Sequence, residues 1–367
     1  MDFAGHGLLD GLEGRNRVAR EQLLALLAAD GYTLVELTKA VQENRLALLP
    51  AARVLGGTHT AREIEQQTGL PAATMIRIRR LHGLPEPDPE ARVFSDEDVE
   101  AARSVTLLID GGLEEEQIIE IFRVLGEGMA RLSGTITAAF GEAFLKAGDS
   151  EQDVARRFAK LAQQLIPATV PIVVAGFKVY VRDSVQLGVL GPAELEAGDA
   201  GSTRDLTVGF ADLVGFTRLG DRVEVRELGS VARRLAHLAA SVTEAPVRLI
   251  KTIGDAAMFV SPDPGALVRV ALALVEAFEQ EELPSLRAGI AYGPASVRAG
   301  DFYGKSVNLA SRVTGIARPG SVLCTEEVRY AAQDGFEWSS AGRHKLKGVS
   351  RPTALYRARP GASDPDG

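Results

Sequence analysis

The chain has 367 residues, of which 46% are hydrophobic and 25% are charged. This length and composition are typical of a soluble globular protein with two or more domains, each able to bury a core. The net charge of −8 gives no electrostatic basis for nonspecific binding to nucleic acid or to an acidic membrane. The single cysteine, Cys324, cannot form an intrachain disulfide, and the N-terminus lacks a basic and apolar leader. These features predict a cytoplasmic protein.

Residues 1–186 are predicted to form an all-helical domain. Apolar residues recur at helical spacing over residues 18–29 and 33–55, which predicts two helices. Further helices are expected over residues 113–148, with a break around Gly134. None of these segments carries a catalytic constellation, so the domain is expected to be regulatory.

Residues 57–104 carry a more specific pattern. The stretch THTAREIEQQTGLPAATMIRIRRLHGLP predicts a helix, a tight turn and a second helix, and an extended arm and a third helix follow. This arrangement resembles the winged helix-turn-helix of MerR-type regulators, in which the second helix enters the major groove of DNA. The reading face would carry Ile76, Arg77, Arg79 and Arg80.

The charge of this segment argues against nucleic acid as a partner. Between residues 57 and 103 there are six basic and nine acidic side chains, a net charge of −3. A surface that binds phosphates is expected to be basic. We therefore favour a helix-turn-helix reused as a structural module, with a DNA-binding regulator as the alternative.

The longest helical candidate spans residues 150–186, and its middle, residues 165–177, is uncharged. This middle stretch is shorter than the roughly 20 residues needed to span a bilayer, so a transmembrane protein is not expected. Pro167 and Pro171 are expected to kink the helix or split it in two. The apolar surface needs cover, which favours a subunit or domain interface, or alternatively a pocket for an apolar ligand such as a fatty acid.

Residues 187–205 are rich in Gly, Ala and acidic residues and are predicted to be a linker. The second domain, residues 206–359, alternates strand and helix patterns in the order βαββαβ, and residues 360–367 are expected to be a disordered tail. The predicted fold is therefore α+β, a helical domain followed by a ferredoxin-like sandwich. Hairpins are expected around Gly254-Asp255 and Gly293-Pro294.

Two aspartates of the second domain follow or interrupt apolar runs, Asp212 in VGFADLVGFT and Asp255 in IKTIGDAAMFV. A carboxylate in an apolar strand needs a partner, and two carboxylates brought together repel each other unless a cation lies between them. The pair therefore predicts a Mg²⁺ or Mn²⁺ site, although two strand-end turns would fit either segment alone. Phe216 and Thr217 follow at a turn whose N–H groups could hold a polyphosphate.

Four stretches occur in a fixed order in the second domain: FADLVGFTRL, IKTIGDAAMFV, GIAYGPASVRAGDFYGKSVNLASRVTGIARPGSVL and HKLKGVSRPTALYRA. Together they resemble the catalytic domain of class III nucleotidyl cyclases. The helical first half extends the resemblance to soluble actinobacterial adenylyl cyclases with an autoinhibitory N-terminal domain, among them a pH-responsive mycobacterial cyclase.

The resemblance implies roles for individual residues. Asp212 and Asp255 match the aspartates that bind two divalent metal ions, and Lys251 and Asp301 match the pair that recognises adenine. A lysine can donate to N1 of adenine and an aspartate can accept from its amino group, whereas guanine presents the reverse edge. ATP is therefore the expected substrate. In guanylyl cyclases, a glutamate and a cysteine occupy these two positions.

Asn308 and Arg312 match the ribose-positioning and transition-state residues, and Lys347 matches a later phosphate contact. The spacing of four residues puts Asn308 and Arg312 on one helix face. Read singly, Lys251 could be an ordinary strand-end lysine, and Asn308 with Arg312 an ordinary exposed helix face.

The resemblance also implies a homodimer, because the metal-binding aspartates of one chain face the remaining site residues of the other. Regulation, by inhibition, is expected from the N-terminal domain. Histidine titrates in the range of a pH response, and His237 on the first helix of the second domain is the candidate. A DNA-binding regulator and a catalytically silent nucleotide-sensing dimer are the alternatives to an adenylate cyclase.

Overall fold

The computed structural model describes residues 1–88, 90–187, 203–216, 225–298, 301–332, 335–349 and 351–361. The chain divides into two compact units, Met1–Val189 and Leu190–Gly367. The first is helical and the second combines helices with a mixed sheet, which confirms the predicted α+β class. Most of the predicted linker, and Thr217, lie outside the described residues.

The N-terminal unit contains α1 (Gly14–Ala29), α2 (Leu34–Gln42), a 3-10 turn (Leu46–Leu48), α3 (Leu49–Val54), α4 (Ala61–Thr68), α5 (Ala72–Leu81), α6 (Asp96–Asp110), α7 (Glu115–Phe144) and α8 (Glu151–Leu187). One apolar core forms around Leu24, Leu27 and Leu37, and it includes Ala155 of α8. A second core forms around Ile64 and the helices that follow it.

The single helix predicted over residues 33–55 is wrong. α2 begins at a capping box in which the Thr33 hydroxyl accepts the Glu36 N–H at 3.3 Å. It ends before Asn44, whose φ of 54° lies in the left-handed region. Pro50 then occupies the first turn of α3, a position that proline favours because its missing N–H has no helical partner there. The apolar periodicity continues across the break and therefore conceals it.

Two long helices are continuous at positions where breaks were expected. α7 runs unbroken past Gly134, so the predicted break is wrong. A glycine inside a helix costs about 1 kcal/mol relative to alanine, which the flanking turns offset. α8 continues through Pro167 and Pro171, so the helix is not split in two.

The second half of α8 has large apolar side chains on its surface. The exposed ones include Val170, Ile172, Phe177, Val179, Tyr180 and Val185. By length and composition alone, the span Glu151–Val185 could cross a membrane, and none of its most apolar window is buried within the chain. The uncharged run considered from the sequence is only the middle of this longer apolar span.

α4 and α5 form a helix-turn-helix. α4 ends at Gly69, whose φ of 77° is the left-handed conformation that favours glycine at a helix end. The arm after α5 returns to the chain before α4 through a β-bridge between His59 and Phe94. The Ser95 hydroxyl then caps α6 by accepting the Asp98 N–H at 3.3 Å.

The C-terminal unit contains β1 (Arg204–Leu213), α9 (Val225–Ser241), β2 (Arg248–Ile253), β3 (Ala256–Ser261), α10 (Pro264–Gln280), β4 (Leu286–Arg298), β5 (Asp301–Tyr303), α11 (Lys305–Ile316), β6 (Ser321–Thr325), α12 (Glu326–Ala331), β7 (Phe336–His344) and β8 (Thr353–Pro360). The strand order is β2-β3-β1-β4-β6-β8-β7, with β5 paired to β4. β1 is antiparallel to both β3 and β4, and β3 is antiparallel to β2, as in a ferredoxin-like sheet. β8 ends at Pro360, one residue inside the segment predicted to be a tail.

Helices cover both faces of this sheet. α9 and α10 pack on one face, where Leu213 and Phe259 meet Phe278. α11 packs on the other, where Val208 and Met258 surround Ala310. Because side chains alternate along a strand, Asp212 lies on the same face as Val208, the α11 face. Gly289 permits the close approach of α11, since a β-carbon there would lie 2.1 Å from the backbone nitrogen of Thr314.

The hairpin predicted about Gly293-Pro294 is wrong, because β4 continues through both residues to Arg298. Asp205 of β1 pairs with Pro294 across the ladder, which keeps the backbone extended. From the start of α11, the Ser306 hydroxyl donates to the Pro294 carbonyl at 3.0 Å. These contacts are distant in sequence, so the local turn signal of a Gly-Pro pair gives no sign of them.

Candidate active site

The two predicted metal-binding aspartates lie together where β1 ends. Asp212 is in register with Ala256 of β3, the residue that follows Asp255. The Leu213 N–H donates to the Asp255 carbonyl at 3.0 Å, which fixes the β2–β3 turn beside the end of β1. Strand pairing therefore brings the two carboxyl-bearing residues together from segments more than forty positions apart.

Asp212 also has a cationic partner, Arg287, which lies opposite it on β4. Nε and Nη2 of Arg287 both donate to Oδ2 of Asp212, at 3.0 and 2.6 Å. Nη1 donates to the Gly315 carbonyl at 3.0 Å, near the end of α11. The side chains of Arg287 and Asp212 are only 27% and 22% exposed, so the pair is partly shielded from water.

The two residues predicted to recognise adenine form an ion pair. Nζ of Lys251, on β2, donates to Oδ2 of Asp301, the first residue of β5. Partial burial disfavours the charged carboxylate of Asp301, but the lysine and the Phe302 N–H, 2.9 Å from Oδ1, outweigh it and lower the pKa of Asp301. The pair thus presents a cationic donor beside an anionic acceptor.

α11 carries two more of the predicted site residues. Asn308 is exposed and Arg312, one turn later, is half-buried on the same helix. A β-carbon on Gly348 would lie 3.3 Å from Nη2 of Arg312, so the guanidinium packs over the loop between β7 and β8. Lys347, the neighbour of Gly348, is exposed in that loop. Within the described parts of the chain, no carboxylate pairs with Arg312.

Comparison with known proteins agrees with this geometry. Residues 1–185 match the family model of the adenylate cyclase regulatory domain, and residues 199–357 match that of the adenylate and guanylate cyclase catalytic domain. The pH-sensitive adenylate cyclase MT1302 of Mycobacterium tuberculosis is 39% identical, over 97% of this chain and 92% of its own. This chain belongs to the class III adenylate cyclase family.

Two further similarities extend the comparison. An adenylate cyclase of Streptomyces coelicolor is 33% identical over 77% of this chain and 74% of its own. Among solved structures, the adenylyl cyclase CyaB of P. aeruginosa covers 44% of this chain and 97% of its own, at 23% identity and a TM-score of 0.40. By the two family models, the N-terminal unit carries the regulatory domain of the cyclase and the C-terminal unit its catalytic domain.

The aspartate pair of the cyclase fits a divalent cation. Carboxylate oxygens are the donors that Mg²⁺ and Mn²⁺ prefer. No group of three or more His, Cys, Asp or Glu side chains suited to a metal occurs among the residues that the structure describes. Mg²⁺ usually takes one or two carboxylates from the protein and its other ligands from phosphates and water. Asp212 and Asp255 suit an ion that is shared with a nucleotide.

Arg287 is the site residue that sequence reasoning missed. In the letters LRAGIAYG it is a charged residue at the start of an apolar strand, which is usual at a strand end. Only the β1–β4 register places it opposite Asp212. Alternation along β4 would have given its face of the sheet, but not its partner.

Phe216 and His237 lie outside this cluster of charges. Phe216 is partly buried against the core under α9 and α10. His237 is exposed on α9, near enough to Glu281 for its charge to help Arg234, the main cause, lower the pKa of that carboxyl.

The arginines of the predicted DNA-reading face contact groups of their own domain. Arg77 pairs with Glu116 at 3.2 Å and Arg80 with Glu86 at 3.4 Å. Arg79 lies over the Phe94 ring, 5.7 Å from its centroid. A helix whose guanidiniums are engaged in this way has fewer of them left for phosphates.

Proposed function

We propose that this cyclase converts ATP to cyclic AMP and pyrophosphate. The observation that carries the proposal is the Lys251–Asp301 pair. One member is a donor and the other an acceptor, which is the complement of the N1 and 6-amino groups of adenine. Guanine offers the opposite pattern at these positions, so the pair favours ATP over GTP.

The metal requirement rests on the two aspartates. Asp212 and Asp255 would hold two divalent ions, Mg²⁺ or Mn²⁺, which offset phosphate charge and lower the pKa of the attacking hydroxyl. Arg287 remains beside this site and can donate to phosphate oxygens, for which a guanidinium fork is well suited. The backbone N–H groups of Phe216 and Thr217, in the turn after Asp212, would contact the polyphosphate.

The reaction is an in-line displacement at the α-phosphorus. The 3′-oxygen of the ribose forms a bond to the α-phosphorus, its proton passes to solvent, and the bond to the β-bridging oxygen breaks. Pyrophosphate leaves with that electron pair. Asn308 would position the ribose, Arg312 would stabilise the negative charge of the transition state, and Lys347 would contact the leaving phosphates.

We infer that the working form is a homodimer with sites at the subunit interface. Val297 of β4 and Tyr303 of β5 leave about half of their surface exposed, at 54% and 53%. Exposed large apolar side chains beside a site residue, Asp301, support a contact with a second copy. Asp212 and Asp255 of one chain would then act with Lys251 and the α11 residues of the other.

We also propose that the regulatory domain inhibits the catalytic domain and that pH modulates this control. One relative is named a pH-sensitive adenylate cyclase. His237, which is exposed on α9 near Glu281, is the candidate residue for this control. An unchanged pH profile of cyclase activity in His237→Gln would exclude this histidine.

The apolar surface of α8 is best explained as an interface inside the cell, and we propose a cytoplasmic location. Residues 165–177 would contact a second chain or a domain, and a bound apolar ligand such as a fatty acid is the other candidate for this cover. Nucleic acid is not a proposed partner, because the arginines of α5 already have intramolecular partners.

The test is cyclic nucleotide formation by the purified full-length chain. ATP or GTP would be supplied with Mn²⁺ between pH 5 and 8, beside a chain that lacks residues 1–202. Cyclic AMP from ATP, with little cyclic GMP, is expected, and a faster shortened chain would indicate inhibition. Nucleotide binding without turnover would instead indicate a catalytically silent dimer, and duplex binding that weakens steeply with salt a DNA-binding regulator.

A further inference from the structure

A cavity of about 320 Å³ lies in the catalytic domain where the turn after α11 faces β6, β7 and β8. Its volume is within the range of small-molecule sites. The polar side chains that line it are Arg318, Arg357, His344, Ser321, Ser339 and Ser340. No carboxylate is among the described residues that line it.

The strand register explains how Arg357 reaches the cavity. Arg357 is on β8, which lies between β6 and β7, and it is paired with Leu323 of β6 on one side and with Ser339 of β7 on the other. It is half-buried. Arg318 comes from the turn after α11, and its backbone carbonyl accepts the Ser321 hydroxyl at 2.6 Å, which holds that turn against β6.

The third basic group is His344, at the end of β7. Its Nε2 lies 2.9 Å from the Ala341 carbonyl, and because a carbonyl can only accept, Nε2 carries the hydrogen. Nδ1 is then left as an acceptor, which can take a hydrogen bond from a bound ligand.

Cations gathered in one cavity repel each other unless an anion joins them. Within the described residues, neither the Arg318 nor the Arg357 guanidinium has an ion-pair partner. Arg234 of the same domain, by contrast, pairs with Glu281. The cavity therefore has donors and positive charge without a protein acceptor to match them.

We propose that this cavity binds a small phosphomonoester. Two guanidinium forks and the serine hydroxyls match the several acceptor oxygens of a phosphate dianion. The cavity is larger than a phosphate group alone requires, so an organic portion would occupy the remainder. Adenine binding is proposed at Lys251 on β2, whereas β7 and β8 lie at the opposite edge of the sheet. This is a second site, independent of whether the chain cyclises ATP.

The position of the cavity connects it to the catalytic helix. Ile316, the last residue of α11, lines the cavity, and α11 carries Asn308 and Arg312. β7 leads directly into the loop that holds Lys347. A phosphomonoester bound here would contact both elements and could alter how they meet the nucleotide.

The test is equilibrium dialysis of the full-length chain with glycerol 3-phosphate and with inorganic phosphate. EDTA removes divalent ions, so that the aspartate pair does not recruit phosphates. We expect Arg357→Gln and Arg318→Gln to weaken glycerol 3-phosphate binding by roughly tenfold to a hundredfold each. Arg318→Gln changes an exposed turn residue, and thermal unfolding of both variants checks that they remain folded.

The matched control is Arg359→Gln, which removes an exposed arginine two residues along β8 that lies opposite Glu337 in the strand register and does not line the cavity. It should bind glycerol 3-phosphate as the unsubstituted chain does. Equal affinity in all three variants would overturn the proposal. So would absence of binding to the unsubstituted chain at millimolar concentrations, or a loss of binding in Arg312→Ala but not in Arg357→Gln.

Discussion

The α11 face of the catalytic domain carries two carboxylate–cation pairs that differ in what the cation does. Lys251 and Asp301 bind each other, and both are proposed to bind the base. Asp212 is a proposed metal ligand, whereas its partner Arg287 is a cation that would compete with a metal for the same carboxylate. The Lys251–Asp301 pair is proposed to bind its ligand as one unit. At the Asp212–Arg287 pair, a metal ion would bind the carboxylate and repel the guanidinium.

The difference follows from the charge of each ligand. Adenine is neutral and offers one acceptor and one donor, so a pair of net zero charge binds it without an uncompensated ion. Divalent cations bring positive charge to a place where Asp212 and Asp255 outnumber Arg287 by one. Arg287 would therefore set the charge that the proposed metal ions encounter.

Arg312 differs from Lys251 and Arg287 because it has no carboxylate partner among the described residues. In Arg312→Ala we expect kcat to fall by roughly 10³–10⁵, as for an arginine that stabilises a phosphoryl-transfer transition state, with little change in KM. Steady-state cyclic AMP formation measures this. Arg269→Ala, on α10 at the opposite face, should keep full activity. A loss below tenfold in Arg312→Ala would contradict the assigned role.

The proposed recognition of adenine by Lys251 and Asp301 can be tested by exchanging the donor and the acceptor. In Lys251→Glu combined with Asp301→Cys, the kcat/KM ratio of ATP to GTP should fall by roughly 10²–10⁴, because the donor is replaced by an acceptor and the acceptor by a weak donor. Competition assays with both nucleotides measure the ratio. Lys305→Glu, an exposed change on α11, controls for charge alone. An unchanged ratio would mean that Lys251 and Asp301 do not read the base.

The ion pair between Asp212 and Arg287 can be tested by removing the guanidinium. In Arg287→Gln the competing charge is lost, so Mn²⁺ should bind more tightly by up to about 1 kcal/mol, or roughly fivefold. Calorimetric titration of the full-length chain with Mn²⁺ measures this, with Arg269→Gln as the matched arginine variant. Unchanged or weaker binding in Arg287→Gln would show that the guanidinium does not oppose the metal.

In the regulatory domain, by contrast, a titratable side chain has a buried nitrogen that forms no hydrogen bond within the described part of the chain. Nε2 of His82 is buried without a hydrogen bond among the described residues, and a β-carbon on Gly126 of α7 would lie 2.7 Å from its ring. Burial, with a smaller effect of Arg79, lowers the pKa of His82 against the opposing influence of Asp98. The neutral ring therefore favours the folded state.

The sign of the pH dependence follows. The stabilisation is complete above the unfolded pKa of about 6.5 and is lost as the pH falls from there toward the lower folded pKa. We expect the protection of α5 and α7 amides from hydrogen exchange to decrease between pH 7 and pH 5 in the full-length chain. His82→Gln should show a smaller decrease, and His6→Gln, an exposed change, the same decrease as the unsubstituted chain. Equal slopes in all three would contradict the assignment.

Sequence and structure agree best where a short motif coincides with a strand end. Asp212 and Asp255 could be paired from the sequence because each lies beside an apolar run that had to be a strand. Arg287 could not, because its role depends on which residue of β1 lies opposite it. The continuity of β4 through Pro294 was likewise decided by a partner distant in sequence, Asp205 of β1. The interruption of residues 33–55 has local causes, but apolar periodicity that continues across it conceals it.

The central claim is that these residues form one site from two chains, and mixed dimers test it most directly. Asp255→Ala and Lys251→Ala chains would carry different tags, be co-expressed, and be purified through both tags. Each variant alone should be inactive. The mixed dimer holds one intact site of two, so about half of the unsubstituted activity is expected. Well-folded mixed dimers with no activity above either parent would contradict the account.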